Sequence, residues 1–502
     1  MRRESTRGNG IAAGVLLVGA ALVGCRGGSE GESSGGSEGS GTSSGPSVTS
    51  TADTTDTSDG ADSGRADSDT STGGPPDPPP PSAACEEREL PPRGGAEILV
   101  SPGPDATVMV DGQATTLRAV VASAASGDTI LLADGEYPLP EAGPGEYTGL
   151  YFTTPDVTLR SQSGDPQSVV IDGRYLSQGD GSAPITIDAT GIVVAHLTVR
   201  RSIFHLIHIW AGGDGALVHD VHMVDGGQQF LKSSVDDGTV DEVEVSCSSF
   251  VMTPQGRDNV WGYGPQDGGT TCYTGGIDTH NARSWFVHDS YFEGIYCDES
   301  GVPRPAHGQF PEQRDGMTYN GGLAEHGIHM WDSEMGTGHV IARNRIVDCA
   351  RGIGIGLVDP VYGTTVVNNM VSSVHAASGE HDVGIIVERA VDTVVAHNSV
   401  VLTHPEAYPN GIEYRWAETS NLTLHGNLSN RAITARDGAT AAESDEVDDA
   451  DPAWLADPGS GDLHLVDCAA PGSAALHPSA PDDFDGEPRS DPTVPGADEC
   501  SG

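Results

Sequence analysis

A six-residue segment that returns eight times between residues 194 and 429 restricts the architecture more than any other feature of the chain. Examples are Val194-Ala195-His196-Leu197-Thr198-Val199, Val287-His288-Asp289-Ser290-Tyr291-Phe292 and Val395-Ala396-His397-Asn398-Ser399-Val400. The fourth positions are 197, 221, 248, 290, 344, 369, 398 and 427, and five of the seven steps measure 24 to 29 residues. A second segment falls between successive copies of the first, as in Leu206-Ile207-His208-Ile209-Trp210, Gly327-Ile328-His329-Met330-Trp331 and Gly411-Ile412-Glu413-Tyr414-Arg415. Both segments alternate apolar and polar residues over short runs, the pattern of a strand with one buried face. Two or more short strands in roughly 25 residues cannot bury that face alone. Stacked coil on coil, they share one apolar column and pair their backbone groups with the turns on either side. The expected fold is all-β, a single-stranded right-handed parallel β-helix, and eight coils at ~4.8 Å make a column roughly 40 Å long.

Two further features fit this column. Asn344, Asn369, Asn398 and Asn427 recur at one turn position, where stacked amides can bond along the axis. Residues 116–125 carry a helical apolar stripe of Leu117, Val120, Val121 and Ala124 that stops before Gly127, as an N-terminal capping helix would.

Composition agrees. Gly (68) and Pro (33) fill about a fifth of the 502 residues, and 25 Lys+Arg against 73 Asp+Glu leave a net charge of −48. That balance argues against nucleic acid, which needs a basic footprint. Lys232 is the only lysine. Residues 1–24 have basic Arg2, Arg3 and Arg7 followed by the apolar run Ile11–Val23, too short to span a bilayer. The run ends in Leu22-Val23-Gly24-Cys25, which resembles a bacterial lipobox and implies cleavage before Cys25 and lipid on that residue. Arg26 follows, which favours the outer membrane by analogy with lipoprotein sorting, so the chain is expected outside the cytoplasm and held to the membrane by its lipid alone. Residues 25–84, rich in Ser, Gly, Thr, Asp and Pro, have almost nothing apolar to bury and read as a disordered tether to a folded domain over 85–502, acting as a monomer. Of the remaining seven cysteines, the local pairs Cys247–Cys272, Cys297–Cys349 and Cys468–Cys500 are plausible and leave Cys85 over.

The stretch from Leu117 through Gly127-Asp128-Thr129-Ile130 to Asp134-Gly135-Glu136-Tyr137 resembles the opening of right-handed β-helix polysaccharide lyases of the chondroitinase B and alginate lyase type, with Val120 where a small residue is usual. The end, Asp485-Gly486-Glu487-Pro488-Arg489 with Gly496-Ala497-Asp498-Glu499, is similar to the closing segment of bacterial surface β-helix proteins. The resemblance covers about residues 96–499. It implies a polysaccharide partner, elimination chemistry on a uronate and a supporting cation such as Ca²⁺, although the family's calcium-binding Asn/Glu pattern is not recognisable here.

In the second strand series, Ile207 and Ile209 point inward and the residues between and after them point out. One outward column is then Thr186, His208, Lys232, Asp278, His329, Gly354, Ile386 and Glu413, and its neighbour runs through Asp188, Trp210, Ser234, His280, Trp331, Gly356, Glu388 and Arg415. Two long insertions, roughly 251–275 and 295–325, precede the strands bearing Asp278 and His329 and carry Trp261, Tyr263, Tyr273, Tyr296, Arg304 and Arg314. Insertions over a rigid sheet suit the walls of a groove. Exposed Trp210, Trp331 and Trp261 suit sugar rings, and His208, Lys232, Asp278, His280 and His329 supply acid–base groups. Lys232 is the expected base, one of His208, His280 and His329 the acid, and Arg257, one coil-length after Lys232, the arginine that accompanies lysine in the lyases. Two other chemistries stay open. Asp278, His280 and His329 can form a mixed nitrogen and oxygen metal site, and a glycosidase would need paired carboxylates, such as Asp278 with Asp332 or Glu325. A non-catalytic glycan-binding protein or adhesin would use the same strip as a contact face.

Overall fold

Each copy of the first repeat bends at one residue, and that bend divides every coil into three faces. His196, Asp220, Cys247, Asp289, Arg343, Asn368 and His397 each stand immediately before the recurring fourth position, with φ between 50° and 56°. L-residues seldom adopt this left-handed conformation. Here it turns the chain from one strand to the next, as from Phe286–His288 to Tyr291–Glu293 and from Val394–Ala396 to Ser399–Leu402. With the second repeat, each full coil has three strands. In this computed structural model the described residues are 85, 88–179, 183–234, 238–260, 265–266, 269–271, 274–297, 318–321, 324–331, 333, 338–377 and 381–500. The signal sequence, Cys25, the tether and Trp261 lie outside them.

The second repeats form a ten-stranded parallel sheet whose order is Leu150–Phe152, Ile185–Ile187, Ile207–Ile209, Gln229–Ser233, Gly275–Thr279, His326–Met330, Arg351–Ile355, Ile385–Glu388, Asn410–Arg415 and Ala432–Ala435. The bent first repeats pair with their successors in the same parallel manner, for example Val193–Ser202 with Leu217–Gly226. The molecule is a parallel β-helix.

Its core is a set of side-chain stacks. Ile185, Ile207, Leu231, Ile277, Ile328, Ile353, Ile385 and Ile412 are in register on the sheet's inner face and fully buried. Each contributes roughly 1.5–3 kcal/mol by burial. Phe250 and Phe292 stack at 4.4 Å across from them. Where the chain enters the sheet, successive backbones approach so closely that a Cβ on Gly352 would stand 2.1 Å from the Gly384 carbonyl oxygen. The asparagine ladder is present: Asn344 Nδ2 donates to Asn369 Oδ1 at 2.9 Å, Asn369 to Asn398 at 2.9 Å and Asn398 to Asn427 at 3.0 Å.

The helix Leu117–Ser123 begins at Thr116, whose side chain accepts from the Ala119 amide, and it buries Leu117, Val120 and Val121. Three strands precede it among the described residues, Glu97–Pro102, Val108–Val110 and Gln113–Thr115, and the first pairs with Thr129–Leu132, so the column starts earlier than the sequence suggested. The cysteine pairing also differs. Cys85 joins Cys247, Cys297 is disulfide-bonded, and Cys349 is free and buried, while Cys468–Cys500 forms as expected. Cys85 finds a distant partner because the segment before the first strand runs along the outside of the coils. Arg88 pairs with Glu244, Leu90 packs on Val193, Ala195 and Leu217, and Arg93 donates to Thr158. The closing segment lies against the coils, with buried Arg489 donating to Asn368, Gly496 and Ala497.

Candidate functional site

The register of the ten-stranded sheet aligns Thr186, His208, Lys232, Asp278, His329, Gly354, Ile386 and Glu413 as direct neighbours, one per coil. The side chains do not face water as the sequence suggested. His208 is 5% exposed, Lys232 6%, Asp278 3% and His329 0%. Coils stand only ~4.8 Å apart, so bulky neighbours close over one another. His208 lies between His205 at 5.0 Å and Trp210 at 4.4 Å, and His329 between His326 at 4.4 Å and Trp331 at 5.4 Å.

Asp278 is the electrostatic centre. Lys232 Nζ donates to its Oδ2, His280 Nε2 lies 3.4 Å from the same oxygen, and His329 Nδ1 lies 3.4 Å from Oδ1. Burial alone would raise this carboxyl's pKa. The charge of Lys232, followed by His280 and His329, outweighs burial and holds it well below the usual carboxylate range. Burial works against a charge on His329 too, but Asp278, Glu325 and the Gly356 carbonyl, to which Nε2 donates at 3.1 Å, raise its pKa above the ordinary imidazole value. His208 goes the other way: burial, with His205 and Lys232 nearby, pushes it well below that value. Lys232 is buried against the Asp278 carboxylate and not exposed as the sequence suggested for a base.

The neighbouring column is partly open to solvent around Trp210, His280 and Trp331, although its Glu388 is buried. Trp210, His280 and Trp331 are half-buried, the His280 side chain is 34% exposed, and its ring stacks on Trp331 at 5.1 Å with the planes 8° apart. The strip runs from Tyr151, whose hydroxyl donates to Asp188 at 2.7 Å, to Arg415, which pairs with Glu388 and lies 4.6 Å over Trp416. His280 is thus the one member of the five candidate acid–base residues that combines a buried, ionised carboxylate partner with access to solvent. With Nε2 directed at Asp278, its Nδ1 is the nitrogen left to exchange a proton.

Arg257 does not join this group. It sits on the short helix Pro254–Asp258, donates to the Met252 and Gly294 carbonyls, and lies 4.3 Å over the Tyr296 ring. The two insertions meet: Pro265–Gln266, Gly269–Thr271 and Thr318–Gly321 form a three-stranded sheet in which Thr270 pairs with Tyr319. From that small sheet the chain passes directly into the strands carrying Asp278 and His329, and Glu325 N donates to Thr274 O at 2.8 Å.

Sequence reasoning missed His326. Its ring lies against Gly354, where a Cβ would stand 2.5 Å from Nε2, and neither ring nitrogen has a hydrogen-bond partner. Burial, then His329 and Arg351, push its pKa well below the ordinary value. The signal was present in Glu325-His326-Gly327-Ile328-His329, where two imidazoles three apart follow a carboxylate, yet strict alternation assigns positions 326 and 329 to opposite faces. His326 pairs with Arg351 and Ile328 with Ile353 in unbroken register, yet the His326 and His329 rings lie 4.4 Å apart. Calcium does not suit this region. It takes roughly six to eight oxygen ligands, whereas the donors gathered here are largely imidazole nitrogens and Asp278 is committed to Lys232.

No protein-family model and no curated protein matches the chain. Similar solved structures include pectate lyase Pel9A, at 12% identity and TM-score 0.36 over 82% of this chain and 90% of that one. The polysaccharide lyase Pedsa3628 of family PL6 from Pseudopedobacter saltans is similar at 13% identity and TM-score 0.33, over 68% of this chain and 92% of that one. An alginate lyase from Paenibacillus sp. str. FPU-7 is similar at 12% identity and TM-score 0.29, over 69% of this chain and 99% of that one.

Proposed function

We propose that the protein binds a polysaccharide along the half-exposed strip and cleaves it at His280 by β-elimination from a uronate residue. The observation that carries this reading is His280 itself, an imidazole held by a buried ionised carboxylate, stacked on a tryptophan and open to solvent. In the reaction His280 Nδ1 takes the proton α to the sugar carboxylate. The C–O bond to the leaving sugar breaks as the C=C bond forms, and the imidazolium returns its proton to the departing oxygen. Asp278 orients the ring and balances its charge, while Lys232 and His329 are positioning residues that keep Asp278 ionised. Trp210 and Trp331 hold sugar faces.

The test is a panel of uronate-containing and neutral glycans, read by absorbance of unsaturated ends and by new reducing ends. His280→Ala should lower kcat by ~10²–10⁴-fold, and Trp331→Ala should chiefly raise KM. Reducing ends without unsaturation would replace elimination by hydrolysis.

A second reading, a non-catalytic glycan-binding module, draws support from the burial of Lys232, His208 and His329. It predicts binding that fails in Trp210→Ala/Trp331→Ala and no new ends from any glycan. Either activity would be exercised by a monomer outside the cell, held to the outer membrane by lipid on Cys25. Incorporation of labelled fatty acid that disappears in Cys25→Ser checks the anchor.

A further inference from the structure

Beside the acid–base pair lies a second group of donors that shares only His329 with it. Glu325, His326 and His329 bring one donor atom each within 4.8 Å of one another. Glu325 Oε2 is 3.7 Å from His329 Nδ1 and 3.9 Å from His326 Nδ1. Both imidazoles are almost wholly buried, at 2% and 0% exposure. Even so, His326 Nδ1 and Nε2 have no hydrogen-bond partner, and His329 Nδ1 faces only Asp278 Oδ1 at 3.4 Å and Glu325. A buried polar atom without a partner costs about 1–3 kcal/mol, so two on one buried imidazole, beside a carboxylate and a second imidazole, call for a ligand.

We propose that Glu325, His326 and His329 bind a divalent transition-metal ion of the zinc class. Two imidazole nitrogens and a carboxylate oxygen form a mixed donor set that zinc favours and calcium does not. The second shell agrees. His329 donates its other nitrogen to the Gly356 carbonyl, which fixes the tautomer that turns Nδ1 toward Glu325, as metal-bound histidines commonly require. Gly354 gives the His326 ring its place, because any side chain there would collide with it. Glu325, with its side chain 22% exposed, lies on the solvent side and offers an entry path. A second trio, His464, Asp485 and Asp498, has similar spacing, but both nitrogens of His464 are already taken, by Asp462 at 2.5 Å and Asp485 at 3.2 Å. The metal site does not depend on glycan cleavage and binds its ion whether or not His280 turns over a substrate.

The test is calorimetric titration of the chelator-treated full chain with zinc chloride, in a buffer holding excess calcium to fill weak carboxylate sites on the acidic surface. The wild type should show one tight site per chain. Affinity should fall at least ~10-fold in Glu325→Gln, His326→Ala and Gly354→Ala and stay unchanged in His464→Gln. Circular dichroism checks each fold. Should the buried His326 or Gly354 variants not fold, Glu325→Gln, at a partly exposed position, decides alone. A wild type without a tight site, an affinity that Glu325→Gln leaves unchanged, or displacement of zinc by calcium would each overturn the proposal.

Discussion

Asp278 is buried and yet ionised because a lysine and two histidines converge on it, and Lys232 is the partner it can least lose. Lys232→Met would strand a carboxylate at 3% exposure and should cost about 3–5 kcal/mol in urea unfolding. Lys232→Met/Asp278→Asn removes both charges and should recover much of that loss. Equal destabilisation in the single and double variants would show that the pair is not coupled. Matching the recurring strand segments on the sequence aligned Lys232 with Asp278 and His329 across the two long insertions, because successive copies of one segment become adjacent strands. Burial was not legible. An alternating pattern says which way a side chain points, not how tightly its neighbours close over it, and so Lys232 read as an exposed group although it is buried against Asp278.

At the scale of the element, the bend and the ladder act together. Left-handed residues such as Asn368 and His397 hold the following asparagines inside the turn, where Asn398 Oδ1 accepts from both the backbone amide and the side-chain amide of Asn369. Asn398→Ala leaves the Asn369 backbone amide buried without its acceptor, while Asn369 Nδ2 keeps the Ile341 and Val367 carbonyls, and should cost about 1–3 kcal/mol in equilibrium unfolding. A loss under about 1 kcal/mol would mean that the ladder carries no weight. The recurrence of asparagine was plain in the sequence. The bend was not, because left-handed backbone here falls on His, Asp, Cys, Arg and Asn alike, imposed by the stack and not by local propensity. Each first repeat therefore read as one strand where the coil has two.

Across the whole molecule, buried histidines set the acid limit of stability. Burial lowers His205, His219 and His339 to about 4 and, together with Arg489, lowers His397 to about 3. A depressed folded-state pKa gives stability that is complete above the unfolded value near 6.5 and is lost as pH falls. His464 does the reverse. Its bonds to Asp485 and Asp462 raise it to about 9, so its contribution is complete below ~6.5 and is lost as pH rises from there through about 9. Tm should therefore peak between about pH 6 and 7, and His464→Gln should flatten the alkaline limb. A Tm that rises steadily from pH 4 to 9 would refute the assignment. At this scale the column, its capping helix and the Cys468–Cys500 bridge were legible in the sequence. The Cys85–Cys247 bridge was not, because nothing in repeat spacing tells that the leading segment lies along the outside of the coils. The most direct measurement of the central claim is a crystal structure of His280→Ala with a bound uronate oligosaccharide. Sugar rings lying over Trp210 and Trp331, with a glycosidic oxygen opposite the vacated imidazole, are the expected result. An oligosaccharide seated on another face of the column would contradict it.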